Sequence, residues 1–229
     1  MQKFYNLIQD ISLEDILEIE KNDPTFIPLI SLYNQINNKE YFLPLVVTNA
    51  LICYQLSSTG EEYWKEFSEH ASKVEYDKES DIFDFFTWFL PQSKWNKRLV
   101  PTKLRRLEKL RGNLMNILVD SEIYYNDMKL LQLYLGDIMK QKHTDKTIVF
   151  AVKMFGYWSR IHFWETKIYP KNINIPIDSR LENIYKKYGW NIKNSTIFYD
   201  KLSKKLDIPP LHLDAVLWVH YETFMNEEI

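Results

Sequence analysis

Glycine is scarce in this chain, 5 of 229 residues, and no G-x-G-x-x-G or G-K-[ST] string occurs. Loops that cradle phosphates with bare backbone need that freedom, so the common nucleotide-binding motifs are excluded. Cysteine is scarcer: Cys53 stands alone, which rules out an internal disulfide and any cysteine-built zinc cluster. The histidines at 70, 143, 162, 212 and 220 show no H-x-x-x-H spacing or zinc-like grouping, and no metal or organic cofactor is expected. Apolar runs such as F-L-P-L-V-V are far too short to cross a bilayer. The opening M-Q-K-F-Y-N-L-I-Q-D lacks the continuous apolar stretch of a secretory signal, so an intracellular protein without membrane contact is expected.

What is present is apolar and aromatic. Apolar residues make up 45% of the chain and aromatic ones 15%, enough for a packed core in one domain or in two small helical lobes. The net charge of −2 hides a strong asymmetry. Residues 1–93 hold 6 Lys against 16 Asp or Glu, a balance of −10, and residues 94–229 hold 23 Lys or Arg against 15 acids, a balance of +8. The sharpest cluster is K-W-N-K-R-L-V-P-T-K-L-R-R-L-E-K-L-R, from Lys94 to Arg111, with eight basic residues against Glu108 alone. Such a block suits a polyanion, and Lys103, Arg105, Arg106 and Lys109 are the candidates for a phosphate backbone. A solvated helix face has the same composition.

Nearly every segment has helical spacing. Ser12 and Asp15 in S-L-E-D-I-L-E-I-E approach a capping box, and Thr59 with Glu62 makes a fuller one. Leu104, Leu107, Leu110 and Leu114 step by three and four, an apolar stripe beneath the basic face. Helices are predicted over 128–139, 147–158, 179–188, 196–206 and 211–225, with prolines 91, 101, 170, 176, 209 and 210 falling between segments as punctuation. No pair of alternating strands joined by Asn-Gly or Asp-Gly appears, and no linker or composition break marks a domain boundary. The expected fold class is all-α.

Three short stretches carry the candidate chemistry. In H-T-D-K-T-I-V-F-A-V-K-M-F, Thr144 or Asp145 can cap a helix that places Lys146 in its first turn. A cation there opposes the helix dipole, whose field favours the free amine, a nucleophile. Lys146, Phe150 and Lys153 are spaced i, i+4, i+7 and share one face, suited to a flat, electron-rich ligand. A lysine snorkelling over a buried phenylalanine would have the same spacing. In I-P-I-D-S-R-L, Asp178 stands where a helix N-cap belongs; a capping carboxylate is ionised and rigid, which also suits an electrostatic catalyst. In L-H-L-D-A-V-L-W, Asp214 and Trp218 lie one turn apart on a largely apolar helix. A core Trp with an Asp in the first turn reads equally well.

Taken together, H-T-D-K-T-I-V-F-A-V-K-M-F, I-P-I-D-S-R-L and P-L-H-L-D-A-V-L-W resemble the archaeal GO glycosylases, 8-oxoguanine DNA glycosylase/lyases of the helix-hairpin-helix superfamily. Q-I-N-N near the N-terminus and G-E-E-Y-W-K-E-F also fit, so the resemblance spans most of the chain. The superfamily's L-P-G-V-G before the lysine is replaced by K-H-T-D, and the interval from Lys146 to Asp178 is long; both features belong to the archaeal branch. The resemblance implies a single glycosylase unit over 1–229, with a hairpin at about 127–161 and two helical subdomains flanking an active-site cleft. It also implies Lys146 as nucleophile, Asp178 as its assistant, and a base pocket of Gln35, Trp64, Phe150, Lys153, Asp214 and Trp218. The expected enzyme is a monomer acting on DNA that contains oxidised guanine. Two alternatives keep part of this pattern: a non-enzymatic helix-hairpin-helix DNA-binding protein, and a monofunctional glycosylase in which Asp178 activates water.

Overall fold

The structure is a computed structural model that describes residues 1–227. Every regular element among the described residues is helical, with no strand. The chain opens with α1 (Gln2–Ile8) and α2 (Leu13–Lys21). It continues through α3 (Phe26–Gln35), a 3-10 turn (Lys39–Tyr41), α4 (Phe42–Ile52), α5 (Gly60–Ala71), α6 (Glu79–Gln92) and α7 (Val100–Glu108). Then come α8 (Leu114–Val119), α9 (Ser121–Asn126), α10 (Met128–Met139) and α11 (Lys146–Phe163). The chain closes with α12 (Ser179–Tyr188), α13 (Ser195–Leu206), α14 (Pro210–Val219) and α15 (Tyr221–Asn226). It divides into two compact units: a central one over residues 24–167, and a terminal one joining residues 1–23 to the chain from 168 onward.

In the central unit, α4 reads F-L-P-L-V-V-T-N-A-L-I and is buried along its whole length. A helix apolar on all faces belongs in a core, and α4 packs chiefly against α11, buried from Ala151 to Ile161. Each fully buried aliphatic or phenylalanine side chain contributes about 1.5–3 kcal/mol, so this pair anchors α11 firmly. The turn leading into α11 is fastened at several points. Lys140 adopts a left-handed conformation (φ 52) that ends α10, and the Gln141 amide closes back on the Gly136 carbonyl at 3.0 Å. A Cβ on Gly136 would lie 2.2 Å from the His143 ring, so any larger residue would displace that ring. Gln132 Nε2 donates to the His143 carbonyl at 2.8 Å, and Lys109 Nζ donates to the Met139 carbonyl at 2.7 Å. Together α10, the turn and α11 form a helical hairpin whose second helix begins at Lys146.

In the terminal unit, α2 packs on α14 around Phe4, Ile16, Leu181, Leu213 and Leu217. Phe4 is bracketed by Tyr188 at 4.6 Å and Phe224 at 5.1 Å between ring centroids. A fully buried pair joins chain ends: His212 Nδ1 lies 2.9 Å from Glu20 Oε1, and His212 Nε2 accepts from the Tyr169 amide at 3.1 Å. Because Nε2 accepts, the ring proton resides on Nδ1 and points at Glu20. The capping box at Ser12 is complete: Ser12 Oγ accepts from the Asp15 amide at 3.1 Å, and Asp15 Oδ2 accepts from the Ser12 amide at 2.9 Å.

Prolines do more than punctuate. Pro91 lies inside the last turn of α6, while Pro101 and Pro210 sit in the first turns of α7 and α14. First-turn amides have no helical partner, so proline costs nothing there, and at Pro91 the helix ends one residue later. The segment 211–225 is two helices rather than one, broken at His220 (φ −96, ψ 19).

Candidate active site

In the central unit, Lys146 is the first residue of α11 and is exposed. Its N-cap is Asp145, in extended backbone, but no side chain caps the helix amides. The Asp145 carboxylate instead accepts from Gln141 Nε2 at 3.4 Å, so neither Thr144 nor Asp145 serves the expected capping role. The start of α11 is held from the side by Arg106. Its Nε donates to the Leu51 carbonyl at 3.2 Å and one terminal nitrogen donates to Thr147 Oγ1 at 3.1 Å, tying the end of α4 to the residue after Lys146.

Phe150, one turn beyond Lys146, is half-buried and meets Trp64 of α5 edge to face, with centroids 6.2 Å apart and planes at 62°. Trp64 itself is fully buried, and its indole N–H meets the Cys53 thiol rather than an oxygen or nitrogen acceptor. The neighbouring Cys53 thiol is pushed up to about 12 by burial, and the positive charges of Lys146 and Lys103 and the Trp64 N–H offset part of that rise. Lys146, Cys53 and Trp64 therefore share one electrostatic neighbourhood. Lys153 is 4% exposed, its Nζ 5.6 Å from the centre of the Tyr157 ring. Gln35 ends α3 on the surface, with its amide bonded back to Ser31 Oγ at 2.8 Å.

The terminal unit carries the acids. Asp178 is the N-cap of α12, in extended backbone, and Oδ1 accepts from the Leu181 amide at 2.9 Å. Asp214, on α14, is 4% exposed, and Trp218 one turn later is half-buried. Both carboxylates act on Tyr199, whose hydroxyl is buried and donates to the Leu181 carbonyl at 2.6 Å. Burial raises the phenol's proton affinity most, and the negative charges of Asp178, Glu182 and Asp214 raise it further. The guanidinium of Arg180 lies over Trp218, 4.2 Å from the ring centre. The hairpin lysine thus groups with Phe150, Trp64 and Lys153, and Asp178 groups with Asp214 and Trp218, each set within its own unit.

The basic cluster is less uniform than its sequence suggests. Lys103 is fully buried and donates from Nζ to the Asn96 carbonyl at 3.2 Å and to Asn96 Oδ1, so it is not available to a phosphate backbone. It is lowered to about 8, chiefly by burial, with Cys53 opposing the shift and Arg98 adding to it. Its place on the inner face follows from Leu107, four residues on, which is also buried. Arg106 is half-buried and lowered by that burial, and Lys109 is spent on the hairpin carbonyl. Arg105 remains exposed, folded against Pro101 and Thr102 of its own helix. The charge run alone does not separate these roles. Arg180 and Cys53 escaped sequence reading because each gains meaning only through a neighbour distant in sequence. No group of His, Cys, Asp and Glu suited to a metal ion occurs among the described residues, and no described helix is long and apolar enough to cross a membrane.

Residues 5–229 match the family model described as AGOG, N-glycosylase/DNA lyase. The chain is 42% identical over 210 residues to an N-glycosylase/DNA lyase of Methanococcus maripaludis, covering 91% of this chain and 82% of the relative. It is 39% identical over 203 residues to one from Thermococcus kodakarensis, covering 87% of this chain and 75% of the relative. Among solved structures, the 8-oxoguanine DNA glycosylase Pa-AGOG of Pyrobaculum aerophilum, complexed with 8-oxoguanosine, shares the fold with a TM-score of 0.84. That match covers 97% of this chain and 87% of the other at 23% identity.

Proposed function

This chain belongs to the AGOG family of N-glycosylase/DNA lyases and is a bifunctional DNA-repair enzyme, and within that identity we propose that it excises 8-oxoguanine through a covalent lysine intermediate. The observation that carries the reading is the exposed Lys146 at the head of α11, on one face with Phe150 and Lys153, in the neighbourhood of Cys53 and the Trp64 indole. A nucleophile, an aromatic plate, a cation and a donor in one neighbourhood suit an oxidised purine nucleoside.

The target base lies inside a duplex and must be flipped out. The free amine of Lys146 attacks C1′ and the C1′–N9 bond breaks, the base leaving with the bonding electrons and gaining a proton. Opening of the sugar ring yields a Schiff base between Nζ and C1′. Loss of a C2′ proton then expels the 3′ phosphate by β-elimination, which nicks the strand. Asp178, held rigid by its bond to the Leu181 amide, stabilises the cationic sugar. Asp214 accepts from N1–H and N2–H₂ of the base, Phe150 and Trp218 serve as plates, and Lys153 hydrogen-bonds a base oxygen or nitrogen. Gln35 and Trp64 are the candidates for reading O8 and N7–H, which guanine lacks. Helices α10 and α11 with their turn are the DNA-gripping hairpin, Arg105 is the foremost backbone contact, and the enzyme acts as a monomer.

Incubation with a duplex containing one 8-oxoguanine tests this reading by product. A nicked strand with a released base is expected. An abasic site without a nick would support a monofunctional enzyme using Asp178 and water, and an intact strand would leave only DNA binding.

A further inference from the structure

Arg180 lies two residues after Asp178, in the first turn of α12, and is half-buried. Its guanidinium carbon sits 4.2 Å from the centre of the Trp218 ring and 5.6 Å from that of Tyr221. One turn on, Asn183 Nδ2 donates to the Tyr221 hydroxyl at 3.1 Å. Two side chains of α12 therefore grip the α14–α15 junction, from the same helix whose N-cap is Asp178. A guanidinium at 4.2 Å is stacked on the indole and covers one of its faces. Only the opposite face is left for a base. A cation on one face also draws π-electron density toward itself, which favours an electron-rich ring on the other.

We infer that Arg180 is a positioning residue: it fixes Trp218 as the base plate and ties that plate to the helix that carries Asp178. The inference rests on the assignment of Trp218 to the base pocket above. Lysine would supply the charge but not the planar, stackable fork, so Arg180→Lys should rescue only in part.

The test compares two reactions of the whole enzyme under single-turnover conditions: excision of 8-oxoguanine from a duplex, and cleavage at a preformed abasic site, which offers no base to stack. Arg180→Met should lose excision by on the order of tenfold, with weaker binding of the lesion duplex, while abasic-site cleavage stays within about twofold. Trp218→Ala should lose excision, and adding Arg180→Met to it should cost nothing more, because the two act through one plate. Melting temperature checks the fold, and Arg180→Gln carries the same comparison should the methionine variant fail to fold. Undiminished excision by Arg180→Met beside a defective Trp218→Ala overturns the inference alone. Equal losses in both reactions, or additive losses in the double variant, assign Arg180 to phosphate or chemistry and overturn it too. Full excision by Trp218→Ala overturns the base-plate assignment, and the inference with it.

Discussion

Lys103 shows at the scale of one residue how a charge run misleads. Arg105, two residues on, faces solvent, yet the Lys103 ammonium is buried against Asn96 and 5.0 Å from the Tyr54 ring centre, in the part of the fold that also holds Cys53. Burial lowers it from 10.5 to about 8. Between those values the unfolded chain holds more protons than the folded one, so this residue's contribution to stability rises with pH. Below about 8 both states carry the charge and the cost of burying it is full; above 10.5 neither carries it and the cost is gone. Chemical denaturation of the wild type and Lys103→Met from pH 7 to 10 should therefore show the difference shifting toward the wild type as pH rises. A difference independent of pH would contradict a buried, depressed lysine. DNA affinity should be little altered in Lys103→Met at neutral pH, because its Nζ is directed inward.

At the scale of elements, much was legible. The limits of α10 and α12 follow from Asp127 and Asp178, each accepting from an amide of its helix, and from an apolar stripe that ends where polar residues resume. The predicted helix over 211–225 failed at His220, where nothing in the local sequence marks a break. Asp178 combines cap and candidate catalyst, and two substitutions separate the roles. Asparagine caps a helix as well as aspartate does, so Asp178→Asn should leave thermal stability nearly unchanged while slowing both base excision and strand cleavage. Asp178→Ala should in addition cost about 0.5–2 kcal/mol of stability. Melting curves read beside single-turnover rates check this; an active Asp178→Asn would leave the residue only its structural role.

At the scale of the whole molecule, the division into units was not legible from the residues themselves. The boundaries at Asp23 and Lys167 fall without a change in composition, and the terminal unit is assembled from both ends of the chain, joined by the buried Glu20–His212 pair 192 positions apart. Such a pairing leaves no local signal. The candidate site was legible in part: i, i+4, i+7 spacing placed Lys146, Phe150 and Lys153 on one helix, but not which lysine is buried. The acidic N-terminal and basic C-terminal halves predict salt-sensitive DNA binding, with Arg105 rather than Lys103 carrying it. Arg105→Glu should flatten the slope of log affinity against log salt by about 1, equally for every sequence, and an unchanged slope would place the phosphate contacts elsewhere. The account turns most on which amine becomes covalently bound. Borohydride added during reaction with an 8-oxoguanine duplex, followed by peptide mapping of the trapped adduct, should place the DNA on Lys146; Lys146→Gln should abolish both adduct and nick while still binding DNA, whereas an adduct on Lys153, or undiminished trapping in Lys146→Gln, would contradict it.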